Sequence, residues 1–423
     1  MKAGAWAMAL CLWAGGPAPL AADGDGGSLD QHWLLRGVYD VLQEPPASVT
    51  VLSPITGEPV ERVPLYAHTW DDAGLAMVRY YGAWNPGAGL RLEWNLLATA
   101  EGSSGGITPT AQPLGRSALL ERQPYNEDGA QVEAVADQLN LRWQGDALNV
   151  VAGRQPVNFG QNFYFSPLDL FQPFTPQTTY RDFRPGVDAL RATLSTGRFS
   201  EVEAVAVAGY APGPEGTNAT SQSLQLEGPQ GEGSLLLRAQ SGGDDWMVTA
   251  LGGRFSTWSV GGASVQLEGL GSSWTLESLE SVPLSDLSSL PVQDQSTLGW
   301  TRQWNSAVNT RVELSWQGNL VLKSNPNSPY WPGPLDTSRG LAAASATWRV
   351  SPLWTLTPIL IWFGDDRQVL GMLDSAWSTG ENSTLHVILE EPILFQAGGT
   401  PAQAPTETES LPGALSLDYR LEL

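Results

Sequence analysis

Charged side chains crowd into one stretch of this chain. Arg154, Asp169, Arg181, Asp182, Arg184, Asp188 and Arg191 all fall between residues 153 and 191. Guanidinium and carboxylate groups at this density serve one of two purposes. Facing rings of opposite charge set the field that screens solutes in a pore. Alternatively, salt bridges hold an inserted segment to its support. Both readings stand at this point, and they are compatible. Asp188 and Arg191 are three residues apart, so a regular strand cannot turn both to the same face. Phe159, Phe163, Tyr164, Phe165 and Phe171 share the stretch. Exposed on a loop, these rings would be a liability. They are comfortable only if residues near 155–185 fold inward and pack. Ser166-Pro167-Leu168-Asp169 has the form of an entry to a short helical turn, with serine as cap and proline at the first position.

Other chemistry is weakly written. His32, His68 and His386 are scattered, with no second histidine or cysteine at ligand spacing, so no metal or other cofactor is expected. Gly102-Ser103-Ser104-Gly105-Gly106 matches a nucleophile elbow by letter, but that motif acts only between a strand and a helix. Asp23-Gly24-Asp25-Gly26 lacks the later ligands of a calcium loop. Asp71-Asp72, Asp244-Asp245 and Asp365-Asp366 fall at expected turns or loops, where solvation accounts for them. No catalytic constellation follows from these residues, and the chain is not read as an enzyme.

The elements that must position the charged stretch are read from composition and pattern. Net charge is −22 with two lysines, Lys2 and Lys323, which argues against a nucleic-acid partner. A 42% hydrophobic content and 18 tryptophans argue against disorder. Met1-Lys2, the apolar run Ala3–Ala14 and the small residues ending at Ala22 read as a signal peptide over 1–22, cleaved near Ala22. Cys11, the only cysteine, lies inside it. Residues 23–32 are expected to form a mobile mature N-terminus.

No apolar run is long enough for a spanning helix, so a membrane would have to be crossed by a closed sheet. Alternation supports that. Leu415, Leu417, Tyr419, Leu421 and Leu423 alternate with Ser416, Asp418, Arg420 and Glu422. Comparable runs are Leu90–Leu96, Leu139–Gln144 and Arg311–Gln317, with arginine and glutamate on the polar face. Period-two writing of this kind suits apolar side chains toward lipid and charged ones toward a wet lumen. Thr355–Phe363 departs from it, being apolar on both faces.

Candidate strands lie near 33–42, 62–70, 75–84, 89–98, 131–144, 146–154, 186–196, 199–210, 221–228 and 233–240. The rest lie near 245–254, 258–270, 272–282, 295–305, 308–318, 339–350, 353–363, 367–377, 382–391 and 413–423. Short turns alternate with long loops between them. The expected fold is all-β: a single antiparallel transmembrane barrel over 33–423, of roughly 16–20 strands with 18 as the best value. Trp33, Trp70, Trp84, Trp304, Trp348, Trp354, Trp362 and Trp377 fall near strand ends, where aromatic girdles form.

The order Gly153-Arg154-Gln155, Ser166-Pro167-Leu168-Asp169-Leu170-Phe171 and Arg184-Pro185-Gly186-Val187-Asp188-Ala189-Leu190-Arg191 resembles porin-like outer-membrane barrels of Gram-negative bacteria, in particular the alginate-export type and related uncharacterised barrels. The resemblance implies a channel for small solutes in the bacterial outer membrane, narrowed by an inward loop over roughly Gln155–Pro185. It implies outer-membrane lipid and the barrel assembly machinery as partners, with Tyr419, Leu421 and Leu423 in the assembly signal. The chain ends in Leu423, where the family habit is an aromatic residue. A second reading keeps the barrel as a sheath for a periplasmic partner such as a multihaem cytochrome; a homo-oligomer is also open. The acidic balance predicts mild cation preference.

Overall fold

The computed structural model describes residues 27–43, 48–52, 59–64, 70–103, 115–127, 129–171, 173–210, 233–284, 292–318, 339–364, 368–394 and 413–423. The wall opens with β1 (Ser28–Gln43). A separate two-stranded sheet follows, β2 (Ser48–Leu52) with β3 (Pro59–Pro64). Next come β4 (Trp70–Gly87), β5 (Leu90–Ser103), the short β6 (Glu121–Glu127), β7 (Ala130–Gln144) and β8 (Leu148–Gln155). Beyond the irregular segment 156–186 lie β9 (Val187–Gly197), β10 (Ser200–Val207), β11 (Ser234–Gly242), β12 (Trp246–Phe255) and β13 (Trp258–Gly269). Then follow β14 (Ser272–Pro283), β15 (Gln293–Gln303), β16 (Val308–Gly318) and β17 (Gly340–Ser351). The last four are β18 (Trp354–Phe363), β19 (Gln368–Gly380), β20 (Ser383–Leu394) and β21 (Gly413–Glu422).

The sheet closes on itself because β1 pairs antiparallel with both β4 and β21, Arg36 lying opposite Met77 on one side and Arg420 on the other. Of nineteen strands in this sheet, β6 shares one edge of β7 with β8, so eighteen form the ring. Closure leaves no unpaired strand edge, the condition for a sheet in hydrocarbon.

Alternation is realised with the apolar side outward. On β21, Leu415, Leu417 and Tyr419 are exposed while Asp418 is fully buried. On β16, Leu314 and Trp316 are exposed while Glu313, Ser315 and Gln317 are buried. A soluble sandwich would invert both. Exposed leucines of this number, paired across strands as Leu298 is with Leu314, require an apolar solvent.

The connections at one end are short: Ala88-Gly89, Gly145–Ala147, Leu270-Gly271, Leu353 with its neighbour, and Glu381-Asn382. Trp84, Trp143, Trp274 and Trp348 lie beside these turns, and Trp246 and Trp304 at the short connections 243–245 and 304–307; all six are exposed, as a girdle at headgroup level requires. Trp316 and Trp362 sit toward the other end of their strands.

Eighteen of the twenty candidate strands correspond to the ring strands. The candidate at 62–70 is not a wall strand, since β3 pairs with β2 instead. The candidate at 221–228 lies outside the described residues, as do the predicted signal peptide, Cys11 and the Asp23–Gly26 motif. The wall starts earlier than expected. Residues 28–32, expected in a mobile terminus, pair with β4 from Ser28 opposite Asn85 to His32 opposite Tyr81.

Candidate pore constriction

The constriction candidate begins where β8 ends at Gln155 and the chain returns to the wall only at Val187. Between them Val157, Phe159, Tyr164, Phe165, Leu168, Leu170 and Phe171 are all buried. They pack on the inner face of the wall in two groups. Val157, Phe159, Leu168, Leu170 and Phe171 join Val205, Leu236, Leu251, Val260 and Leu279. Tyr164 and Phe165 join Leu341, Ile359, Ile361, Phe363, Leu370 and Met372. This explains β18, whose sequence is apolar on both faces: Ile359, Ile361 and Phe363 look inward, but they meet the segment and not water. Each fully covered ring or aliphatic chain contributes about 1.5–3 kcal/mol.

Two wall carboxylates complete the attachment. Glu277 on β14 and Glu313 on β16 point inward and are almost wholly buried. Glu277 Oε1 accepts the amide N–H of Gln161 at 2.5 Å and of Asn162 at 2.7 Å, and the Ser166 hydroxyl donates to Oε2 at 2.6 Å. Glu313 accepts the amides of Phe163, Tyr164 and Phe165 at 2.7, 2.8 and 3.0 Å. Five successive backbone donors are thus met by two anions, and an ionised acceptor makes each bond stronger than a neutral one. Ser166 does not cap a helix. Residues 166–169 make a single turn, the Asp169 amide donating to the Ser166 carbonyl at 3.2 Å, and the hydroxyl is spent on Glu277.

The seven charged residues separate into three environments. Arg154 and Asp188 belong to the wall. The Arg154 side chain is fully covered; it reaches Asp188 at 2.8 Å, the Ser117 carbonyl at 2.7 Å and Glu121 at 3.3 Å. Covered in this way, it presents nothing to a passing solute. Arg191 takes the inward parity of β9 with Val187 and Ala189, while Asp188 takes the other, as their spacing requires. Arg191 stands near Glu93, Arg142, Glu203 and Arg238.

Asp169, Arg181 and Arg184 tie the segment to itself. Arg184 Nη1 lies 2.6 Å from both oxygens of Asp169. Burial nonetheless pushes the Asp169 carboxyl above its ordinary range, outweighing the pull of Arg184 and Arg181. Arg181 donates to the carbonyls of Phe163, Thr175 and Thr178. Burial pulls it down to about 10, which leaves it charged at neutral pH. Asp182 is exposed and reaches Arg420 on β21 at 3.6 Å.

Two rings each meet two arginines. Phe163 has Arg181 and Arg311 each 4.1 Å from its ring centre. Tyr180 has Arg36 at 4.1 Å and Arg420 at 4.6 Å. A guanidinium over a ring face is held by the ring quadrupole. Arg36 and Arg420 also share Asp418, whereas Arg311 donates to the Thr301 hydroxyl at 3.4 Å.

No family model matches the chain, and no curated relative matches it. Solved structures do. A BenF-like porin from Pseudomonas fluorescens Pf-5 superposes with a TM-score of 0.57 at 10% identity, covering 94% of this chain and 98% of that one. OccAB4 of Acinetobacter baumannii gives 0.54 at 6% identity, with the same coverage of both chains. OpdK of Pseudomonas aeruginosa, solved with vanillate, gives 0.54 at 8% identity and again the same coverage. The fold is that of an outer-membrane porin.

Within this porin fold the sequence reading missed the anchors of the segment. Glu277 and Glu313 appeared only as polar members of alternating strands. Nothing local separates them from Glu93 or Glu203, because their donors lie more than a hundred residues away. Arg311 was legible only as another inward arginine. Among the described residues no cluster of metal-ligating groups is present; His386 instead pairs with Asp374 at 2.9 Å.

Proposed function

We propose that this chain is an outer-membrane channel for passive or selective diffusion of small solutes, narrowed by residues 156–186. The observation that carries the reading is the attachment of that segment to the inner wall by Glu277 and Glu313 within a closed eighteen-strand barrel. A barrel of this strand number encloses an aqueous lumen unless chain fills it. The sheath reading has no comparable support: inner-wall surface that a partner would touch is covered by the chain's own aromatic residues.

Solute charge follows from the groups at the segment and not from the whole-chain balance. The −22 net charge pointed toward cations, yet Arg311 and Arg181 both lie against an exposed Phe163. That pairing suits a small organic acid, aromatic ones especially: guanidinium for carboxylate, ring for ring. OpdK has been solved with a compound of this kind, vanillate. The export route belongs to the same reading: cleavage near Ala22, then delivery of β21 with Tyr419, Leu421 and Leu423 to the assembly machinery.

Planar-bilayer recording tests the proposal. An ohmic conductance with reversal potentials displaced toward anions, blocked or slowed by benzoate-like acids, is the expected result. A reconstituted barrel that carries no current, or conducts only after a bound partner is stripped away, would overturn it. N-terminal sequencing of the mature protein checks the cleavage site.

A further inference from the structure

The wall opposite β8 is shaped for the segment by more than its two acids. Gly299 on β15 lies on the inward parity between Glu277 and Glu313, and a Cβ there would stand 2.2 Å from Asn162 Oδ1. Gly262 on β13 is also inward, and a Cβ there would stand 2.6 Å from Leu168 Cδ2. Leu168 is completely buried over it. Two acceptors and two side-chain-free positions on β13–β16 therefore coincide with the backbone donors and bulky side chains of 161–168.

We propose that Glu277, Glu313, Gly262 and Gly299 form a built seat that sets where the constriction segment lies, and hence the aperture. They are positioning residues, none of which needs to touch a solute. The proposal rests on the pore reading above for its consequence, but the seat itself is a statement about where 161–168 sits.

The physical case is one of complementarity. A buried carboxylate is costly unless its lone pairs are met, and here each is met by backbone amides of consecutive residues. Conversely, those amides lie in an irregular segment with no strand partner and need acceptors. Glutamine at 313 keeps one acceptor oxygen and turns the other into a donor aimed at a backbone N–H of 163–165; at 277 the Ser166 hydroxyl can turn to accept, so the loss there is that of the charge. The glycines act independently of charge: leucine at Gly299 would occupy the space of Asn162.

Thiol labelling reads the seat directly. Cys11, the chain's only cysteine, lies in the predicted leader, so Leu168→Cys supplies a single buried reporter. In an otherwise native barrel it should react slowly with a membrane-impermeant maleimide. In Glu277→Gln/Glu313→Gln, and separately in Gly299→Leu, its rate should rise about tenfold or more, the size expected when charge-assisted bonds holding a segment are lost. Heat-modifiable gel mobility should stay that of a folded barrel, and single-channel conductance should change in step with labelling. Rates within about twofold of the parent in both backgrounds would overturn the proposal. So would loss of the folded barrel in both, because the residues would then be holding the wall. Because labelling needs no current, a silent barrel with a protected Leu168→Cys would sink the pore reading alone.

Discussion

Arg154 and Asp188 meet in a 2.8 Å ion pair at the point where β8 leaves the wall. β7 extends past the end of β8, whose last residue Gln155 lies opposite Val187 at the start of β9. β6 takes over the edge of β7, and the Asp188 amide donates to the Gly115 carbonyl at 2.7 Å. Arg154 binds all sides of this patch, touching Asp188 on β9, the Ala136 carbonyl on β7, and Ser117 and Glu121 from residues 115–121. The inward excursion of the chain is possible because this patch keeps the sheet continuous behind it.

Arg154→Met should therefore destabilise the barrel by about 3–5 kcal/mol, since it leaves Asp188 without its cation in a covered site, while Glu121 keeps Arg116 at 3.0 Å. Urea titration of protein folded into lipid vesicles measures it. Arg154→Met/Asp188→Leu should recover part of the loss. Equal stability of the single variant and the parent would show that the patch does not hold the wall.

Leu314 is exposed in the middle of β16 and pairs with Leu298, also exposed. Leu314→Arg should cost about 2–4 kcal/mol in a bilayer if this face meets hydrocarbon. A cost near zero in the same vesicle titration would mean that the face is wet.

Arg311 carries charge beside Phe163 and donates to the Thr301 hydroxyl. A unit charge at 4 Å shifts an ion's energy in water by about 1 kcal/mol. Arg311→Gln should therefore lower anion over cation permeability several-fold, read from reversal potentials in a salt gradient. The difference should shrink at high ionic strength as the charge is screened.

Asp169 and Arg184 should respond unequally to neutralisation. Burial lifts the Asp169 carboxyl above its ordinary range, so its protonated form persists to higher pH in the folded segment than in the free chain. Asp169→Asn keeps an acceptor oxygen for Arg184 and removes the buried charge, so it should cost the segment less than Arg184→Gln. Arg184→Gln strands a buried carboxylate, at about 1.5–3 kcal/mol. The sign with pH follows from the raised value: the folded segment is favoured at low pH, and that advantage fades as pH rises through the folded value. The Arg184→Gln defect should thus diminish on acidification, measured as protease nicking of the segment between pH 4 and about 7. A pH-independent defect would contradict this.

The sequence alone determined that the strands have one apolar and one charged face, as a closed sheet with an apolar outside requires. Leu415 to Leu423 against Ser416 to Glu422 leaves one face apolar and one charged, and strand geometry converts that spacing into two faces without reference to anything distant. It also located the segment that leaves the wall, because Phe159–Phe171 could not be left in water. What it could not assign were partners. Whether Arg154 faces a pore or a patch depends on Ser117 and Glu121, more than thirty residues earlier. That Glu277 and Glu313 hold the backbone amides of this segment depends on where 161–165 lies against the wall. Alternation is a local property and survives in one dimension, whereas the meeting of two carboxylates with five distant N–H groups is created by closure of the barrel.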